Sequence, residues 1–200
     1  MLVTTDSQHD HGGIEKQKAG QSSFSILDSE LVFSELNLKT GEYFLDIGCG
    51  SGDYAFRAAG LVGDTGFVFA LDRWKELIDK LNAKIDLQNI KNMRAIFADI
   101  DNVLPITDNN ADICLLAMVL HGFDIKNYGE ILFSEIYRIL KPDGHLAVIE
   151  MKKEENSGGH PVHIRLSPDD IEKTVSKYGF KKTCYSDLGC AYLIQFGIDK

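Results

Sequence analysis

The run Tyr43-Phe44-Leu45-Asp46-Ile47-Gly48-Cys49-Gly50-Ser51-Gly52-Asp53 constrains this chain more than any other stretch, because an apolar segment enters a cluster of alternate glycines and leaves it in a helix-forming sequence. The pattern predicts strand, tight loop and helix. Alternate glycines let the backbone turn sharply and approach a bound molecule where a Cβ would collide, and the amides that open a helix offer donors to a polar ligand. A small polar ligand is therefore expected at this turn. The competing reading is that the glycines serve only to pack the helix closely on the strand. The residues downstream weigh between the two.

Spacing comes first. A dinucleotide fingerprint requires G-x-G-x-x-G, whereas Gly48, Gly50 and Gly52 follow Asp46 as D-x-G-x-G-x-G, with the third glycine one position early. That disfavours a nicotinamide nucleotide and hydride chemistry. Phe67 to Leu71 reads as a second buried strand ending at Asp72, 22 residues after Gly50, where an α/β nucleotide site places a carboxylate that clamps ribose hydroxyls. Asp72 could also cap a helix running from Trp74 to Leu87, and since the two roles use different oxygens the ribose role is favoured. Met93 to Ala98 reads as a third strand delivering Asp99, which can accept an adenine amino hydrogen. Ala111 to Met118 is an apolar fourth strand that runs into Val119-Leu120-His121-Gly122.

Around these strands the chain alternates. A helix marked by Leu31, Val32, Leu36 and Leu38 precedes the glycine stretch, Tyr54 to Val62 continues it as a helix, and Lys126 to Leu140 carries Tyr128, Ile131, Leu132, Ile136 and Leu140 on one face. Lys141-Pro142-Asp143-Gly144 stops that helix before a fifth strand, His145 to Glu150. Ser167 then caps a helix with Pro168 at its favoured first position. Strands Lys181 to Ser186 and Ala191 to Phe196 are joined by a turn short enough for a hairpin, so the last strand is expected to run antiparallel to its predecessor. The reading is an α/β fold with a doubly wound, seven-stranded, mostly parallel sheet and helices on both faces.

With 200 residues the chain fits one domain, assigned to residues 24–200, preceded by a polar, aperiodic arm at 1–23 that is expected to be flexible. His9 and His11 lie in that arm with no third ligand at a supporting spacing, so no metal site is expected. The balance of 21 basic against 30 acidic residues, a net charge of −9, repels phosphate backbones and argues against a nucleic-acid partner. No apolar run approaches the ~20 residues of a membrane span, which suggests a cytoplasmic protein. Cys49, Cys114, Cys184 and Cys190 form no C-x-x-C pair and are expected to be reduced.

Taken together, Leu45-Asp46-Ile47-Gly48-Cys49-Gly50-Ser51-Gly52, Ala70-Leu71-Asp72, Ala98-Asp99, Ala111-Asp112-Ile113 through Leu120-His121 and Ile139 to Gly144 resemble the motifs of class I S-adenosylmethionine (SAM) dependent methyltransferases. The likeness covers about residues 30 to 196, and it points to the group containing ubiquinone and menaquinone C-methyltransferases and many small-molecule enzymes. It implies a Rossmann-like fold with SAM as cofactor. The methionine part would lie over Asp46, Gly48, Gly50 and Gly52, and the ribose on Asp72. The adenine would lie between Arg73, Trp74 and Ile100 with Asp99 on its amino group, and Ala117 would line the methyl end. The implied activity is in-line methyl transfer to a small-molecule acceptor, and the alternative is a regulatory or accessory protein that binds SAM without turnover.

Such a reaction asks an enzyme to align two groups, exclude water and remove a proton where the acceptor carries one. His121, ending the fourth strand near the expected methyl position, is the candidate base. His160, His163 and Arg165 lie after the fifth strand, where an acceptor lid belongs. With the arm at 1–23, the segment Lys152 to Arg165 is expected to close over the ligand.

Overall fold

The structure is a computed structural model, and it describes residues 22–154 and 161–200. One sheet holds the seven strands of the described residues: β1 (Tyr43–Ile47), β2 (Phe67–Asp72), β3 (Met93–Phe97), β4 (Ala111–Ala117), β5 (Leu140–Met151), β6 (Phe180–Asp187) and β7 (Ala191–Ile198). Their spatial order is β3-β2-β1-β4-β5-β7-β6. The first five are mutually parallel, and β7 runs antiparallel to both β5 and β6. β7 thus enters between its two neighbours, and β6 takes the edge. Since the chain steps outward from β1 to β3 and then returns to β4, the order reverses between β1 and β4. Ligands of open α/β sheets bind in the crevice beyond the strand carboxyl ends at such a reversal.

A central parallel sheet must be covered on both faces, and the burial divides accordingly. On one face Val32 and Leu36 of α1 (Ser29–Leu36), Ala55, Ala58 and Val62 of α2 (Asp53–Val62), and Ile78, Leu81 and Ile85 of α3 (Lys75–Leu87) pack with Phe44, Val68 and Leu115. On the other, Leu132, Phe133, Ile136 and Ile139 of α4 (Ile125–Ile139) and Ile171 and Val175 of α5 (Pro168–Val175) pack with Leu45, Ile47, Leu116 and Val148. Each of the Val, Leu, Ile and Phe side chains among them contributes roughly 1.5–3 kcal/mol on burial. The period of two along β1, Phe44 to one face and Leu45 to the other, anchors the Asp46–Gly52 turn from both sides.

The helix ends follow local chemistry. Asp28 Oδ1 accepts the Glu30 and Leu31 amides at 3.0 and 3.1 Å to start α1, and Ser167 with Asp170 forms a capping box ahead of Pro168 in α5. One boundary differs from expectation. β5 begins at Leu140, which pairs with Ala111, and the ladder resumes at His145 opposite Ile113. Lys141 to Gly144 therefore loop out inside the strand, because Pro142 has no amide to give the ladder and Lys141 Nζ is drawn to Asp112 Oδ2 at 2.6 Å. Among the described residues no helix is long and apolar enough to cross a membrane.

Candidate functional site

At the reversal point the residues beyond β1, β2 and β4 enclose a cavity of about 420 Å³. Its floor is the glycine turn. Gly48 and Gly50 line the cavity with φ of 75° and 53°, in the left-handed region that only glycine adopts freely. Their amides are organised from β2: Gly48 and Cys49 donate to Leu71 O at 2.8 and 2.9 Å, and Gly50 donates to Asp72 Oδ2 at 2.9 Å. Gly52, also at positive φ, sits behind the cavity wall as the residue that starts α2. A Cβ there would come within 2.6 Å of Leu81 Cδ1 on α3, so this third glycine is required by helix packing. Gly48 and Gly50 thus line the cavity, whereas Gly52 packs against Leu81.

Two acids face one another over this floor. Asp46 at the end of β1 is only 1% exposed, and its Oδ2 has no hydrogen-bond partner among the described residues. Burial, and then the charge of Asp72, pushes its carboxyl up to about 7. Asp72 accepts Gly50 N–H at Oδ2 and Trp74 N–H at Oδ1, both at 2.9 Å. Burial raises its carboxyl too, while those two amides oppose the rise. The first residue of α3 is Lys75 and its flanking residue is Trp74. Asp72 therefore stands ahead of the cap position, shaping the turn into α3 and bracing the glycine loop together.

Arg73, Trp74 and Ile100 line the adjoining wall, with the Arg73 guanidinium 5.7 Å from the Trp74 ring centre. Ala117 lines the end of β4. Asp99 is partly buried and stands outside the lining, its Oδ1 3.5 Å from the Asp101 amide. A floor that the glycines keep clear of side chains, with the Asp72 carboxylate on one side and the unpartnered Asp46 Oδ2 beside it, suits a ligand that carries hydroxyls and a positive charge. Among the described residues no group of three or more His, Cys, Asp or Glu is placed to hold a metal ion.

The opposite wall comes from the segment after β4. Met118 adopts φ 59°, unusual for a side chain with a Cβ, and donates its amide to Ile149 O at 2.8 Å. The chain then folds into a short 3-10 turn, Leu120–Gly122, and Val119, His121, Gly122 and Phe123 reach the cavity. His121 Nδ1 lies 2.8 Å from Glu150 Oε2 at the end of β5. Sequence reasoning picks out His121 and misses Glu150. The same rule that finds Asp72, an acid ending a buried strand, would have found it.

The remaining lining is mostly residues that carry no motif. Ser22, Ser23, Cys49, Ser51, Tyr54 and Ile164 complete the enclosure, and Ser23 Oγ lies 2.9 Å from Tyr54 Oη. Of the expected lid, His160 and most of the arm at 1–23, with His9 and His11, lie outside the described residues. His163 is exposed and stands apart from the cavity, whereas the neighbouring Ile164 lines it. Arg165 is buried and donates from Nη1 to the carbonyls of Lys152 and Glu154 at 2.8 and 3.1 Å, so it ties the segment down behind Ile164.

Comparison with known proteins bears on the fold that carries this cavity. Residues 38–190 match the family model described as a methyltransferase domain. A demethylmenaquinone methyltransferase of Lactobacillus johnsonii is 33% identical over 126 residues, 62% of this chain and 50% of that protein. A 2-phytyl-1,4-naphtoquinone methyltransferase of Nostoc punctiforme is 33% identical over 121 residues, 59% of this chain and 50% of that protein. The chain thus spans about half the length of these curated relatives. Among solved structures, a SAM dependent methyltransferase from Aquifex aeolicus superposes with a TM-score of 0.81 at 25% identity, covering 92% of this chain and 96% of that one.

Proposed function

The chain belongs to the methyltransferase-domain family, and from that premise we propose that it transfers the methyl group of SAM to a small-molecule acceptor by in-line displacement. The observation that carries the reading is the buried Asp46 Oδ2 without a partner, set beside Gly48, Gly50 and Asp72 in one cavity. An unpaired buried carboxylate is costly, and a cationic ligand removes the cost. SAM supplies an activated methyl group on a sulfonium, together with an ammonium, a ribose and an adenine.

The residues fit those parts. Asp46 would answer the ammonium through the glycine turn, and Asp72 would hold the ribose hydroxyls with lone pairs left over from the Gly50 and Trp74 amides. Trp74, Arg73 and Ile100 offer flat and apolar surface for the adenine. Asp99, near Ile100 in sequence, would take the amino group through a modest movement of its side chain. Ala117 and the turn carrying His121 then bound the space left for an acceptor. The lining from Ala117 to Phe123 includes no Asp, Glu, Lys or Arg, which favours a small organic acceptor over a polymer, and the demethylmenaquinone and naphtoquinone enzymes act on such molecules by name.

Calorimetric titration tests this directly. S-adenosylhomocysteine should bind with a saturating isotherm and NAD should give none; the reverse result would reassign the loop to hydride chemistry. Release of labelled methyl from SAM to an acceptor distinguishes transfer from a binding role without turnover.

A further inference from the structure

Glu150 makes more hydrogen bonds than a wall residue needs. Its side chain is 2% exposed, its Oε1 accepts the backbone amides of Leu120 at 2.8 Å and of His121 at 3.2 Å, and its Oε2 meets His121 Nδ1 at 2.8 Å. One oxygen is enough to cap the 3-10 turn. The other is spent on the ring.

The fold explains how the contact is held. Ala117 of β4 pairs with Ile149 of β5, so Glu150 emerges one step beyond the last rung, directly beneath the turn. The left-handed Met118 swings the chain over β5 and keeps its own amide on Ile149 O. Backbone and ring of the turn are thereby fastened to the same carboxylate. Glu150 itself is absent from the cavity lining, while His121 belongs to it.

The geometry points to Glu150 as a positioning residue that holds His121 in the tautomer with a proton on Nδ1, which makes Nε2 the atom that accepts a proton from the methyl acceptor. A carboxylate oxygen can only accept, so the ring nitrogen facing it must donate. The neutral ring then carries its lone pair on Nε2, and the carboxylate stabilises the imidazolium that forms when a proton arrives. In the transfer, the acceptor forms its bond to the methyl carbon and the carbon–sulfur bond breaks with its electron pair passing to sulfur. The acceptor's proton moves to Nε2, so the positive charge leaves the sulfonium and ends on the imidazolium beside Glu150. An acceptor served by this pair carries a removable proton on oxygen, nitrogen or an activated carbon, and a thioether or tertiary amine would have no use for it. The inference rests on the SAM reading above.

The test needs no acceptor. Long-range proton–nitrogen correlation spectra of the full chain labelled with 15N-histidine, with His121 identified by its loss in His121→Asn, report which ring nitrogen is protonated. Wild type should show the proton on Nδ1. In Glu150→Gln the amide oxygen must stay with the Leu120 and His121 amides, which turns its NH2 group toward Nδ1 and should invert the tautomer to Nε2–H. S-adenosylhomocysteine affinity, measured on the same samples, should change less than threefold, since Glu150 lies outside the cavity lining. A proton on Nε2 in wild type, or the same tautomer in both proteins, overturns the positioning role. The wild-type spectrum decides even if the variant does not fold. Absence of S-adenosylhomocysteine binding by wild type overturns the cofactor reading instead, whatever the tautomer.

Discussion

The two walls of the cavity are built by different means. Beyond β1 and β2 the site is mostly backbone: glycine amides, a strand carbonyl and two acids that lie within one βαβ unit. Beyond β4 and β5 it is a side-chain pair, His121 on Glu150, whose members are separated by 29 residues and a whole helix. A backbone cradle depends on conformations that only glycine adopts cheaply, so its sequence is restricted to a recognisable pattern. A side-chain pair depends on where two strands happen to end, and many sequences could supply it. One wall therefore reads as a motif and the other as a coincidence of register.

The largest effect that would sharpen the contrast concerns the acid of the backbone wall. Asp46 has a folded carboxyl raised to about 7 against an ordinary 3.8, so the folded state binds its proton more tightly than the unfolded state does. This contribution is fully present below pH 4 and is lost as pH rises through 7, at roughly 1.4 kcal/mol per unit across that window. Asp46→Asn should remove the dependence and raise the thermal midpoint of the ligand-free protein at pH 8, with no gain at pH 4. Thermal denaturation of both proteins at the two pH values checks it, and equal midpoints for variant and wild type at pH 8 would mean that the carboxylate has found a partner. In the proposed function the same variant should lose SAM affinity at pH 8, where the wild-type carboxylate would meet the ammonium with a charge.

Asp72→Ala comes next. The side chain braces Gly50 and Trp74, and in the proposed function it also holds the ribose, so S-adenosylhomocysteine binding should weaken by about 1.5–3 kcal/mol. Wild-type affinity would confine Asp72 to shaping the turn into α3. The tautomer of His121 should be unchanged in this variant, because Asp72 braces Gly50 and Trp74 whereas the His121 ring is held by Glu150.

A smaller effect tests the seam between the walls. A Cβ on Gly48 would lie 2.6 Å from Val119 Cγ2, and the position has φ 75°. Gly48→Ala should cost about 1–3 kcal/mol of stability through backbone strain together with the clash. Adding Val119→Ala should recover the clash and leave the strain, which a double-mutant cycle in urea measures as a coupling of about 1 kcal/mol. No coupling would show that the β4 turn yields freely, and that the two walls are mechanically independent.

The smallest expectation is a control outside both walls. Arg57 Nη2 meets both Glu30 oxygens at 2.8 Å between α2 and α1, but Glu30 is 74% exposed. Arg57→Ala should change stability by less than about 1 kcal/mol and leave S-adenosylhomocysteine binding intact.

Much of the molecule is legible in its amino-acid sequence. Strand order is not, yet the existence and type of the seven strands and five α-helices of the described residues follow from period, glycine breaks and caps such as Asp28 and Ser167, since these are local. Asp46, Gly48, Gly50, Asp72, Arg73, Trp74, Ile100, Ala117 and His121, all picked out from sequence, line one cavity. Gly52 and Asp99 stand outside its lining, because spacing along a loop does not say which side of the loop a residue turns to.

What the sequence alone determined is the βαβ core and its glycine turn, because the φ requirement of such a turn and the two-sided burial of a parallel strand act over a few adjacent residues. What only the tertiary structure decided is everything set by register between distant segments. β7 enters between β5 and β6, Lys141 to Gly144 loop out of β5, Ile164 reaches the cavity where His163 does not, and Glu150 arrives under His121. These depend on which rung of one strand meets which rung of another. A shift of one residue would turn Glu150 to the other face of the sheet, and no local pattern records that choice.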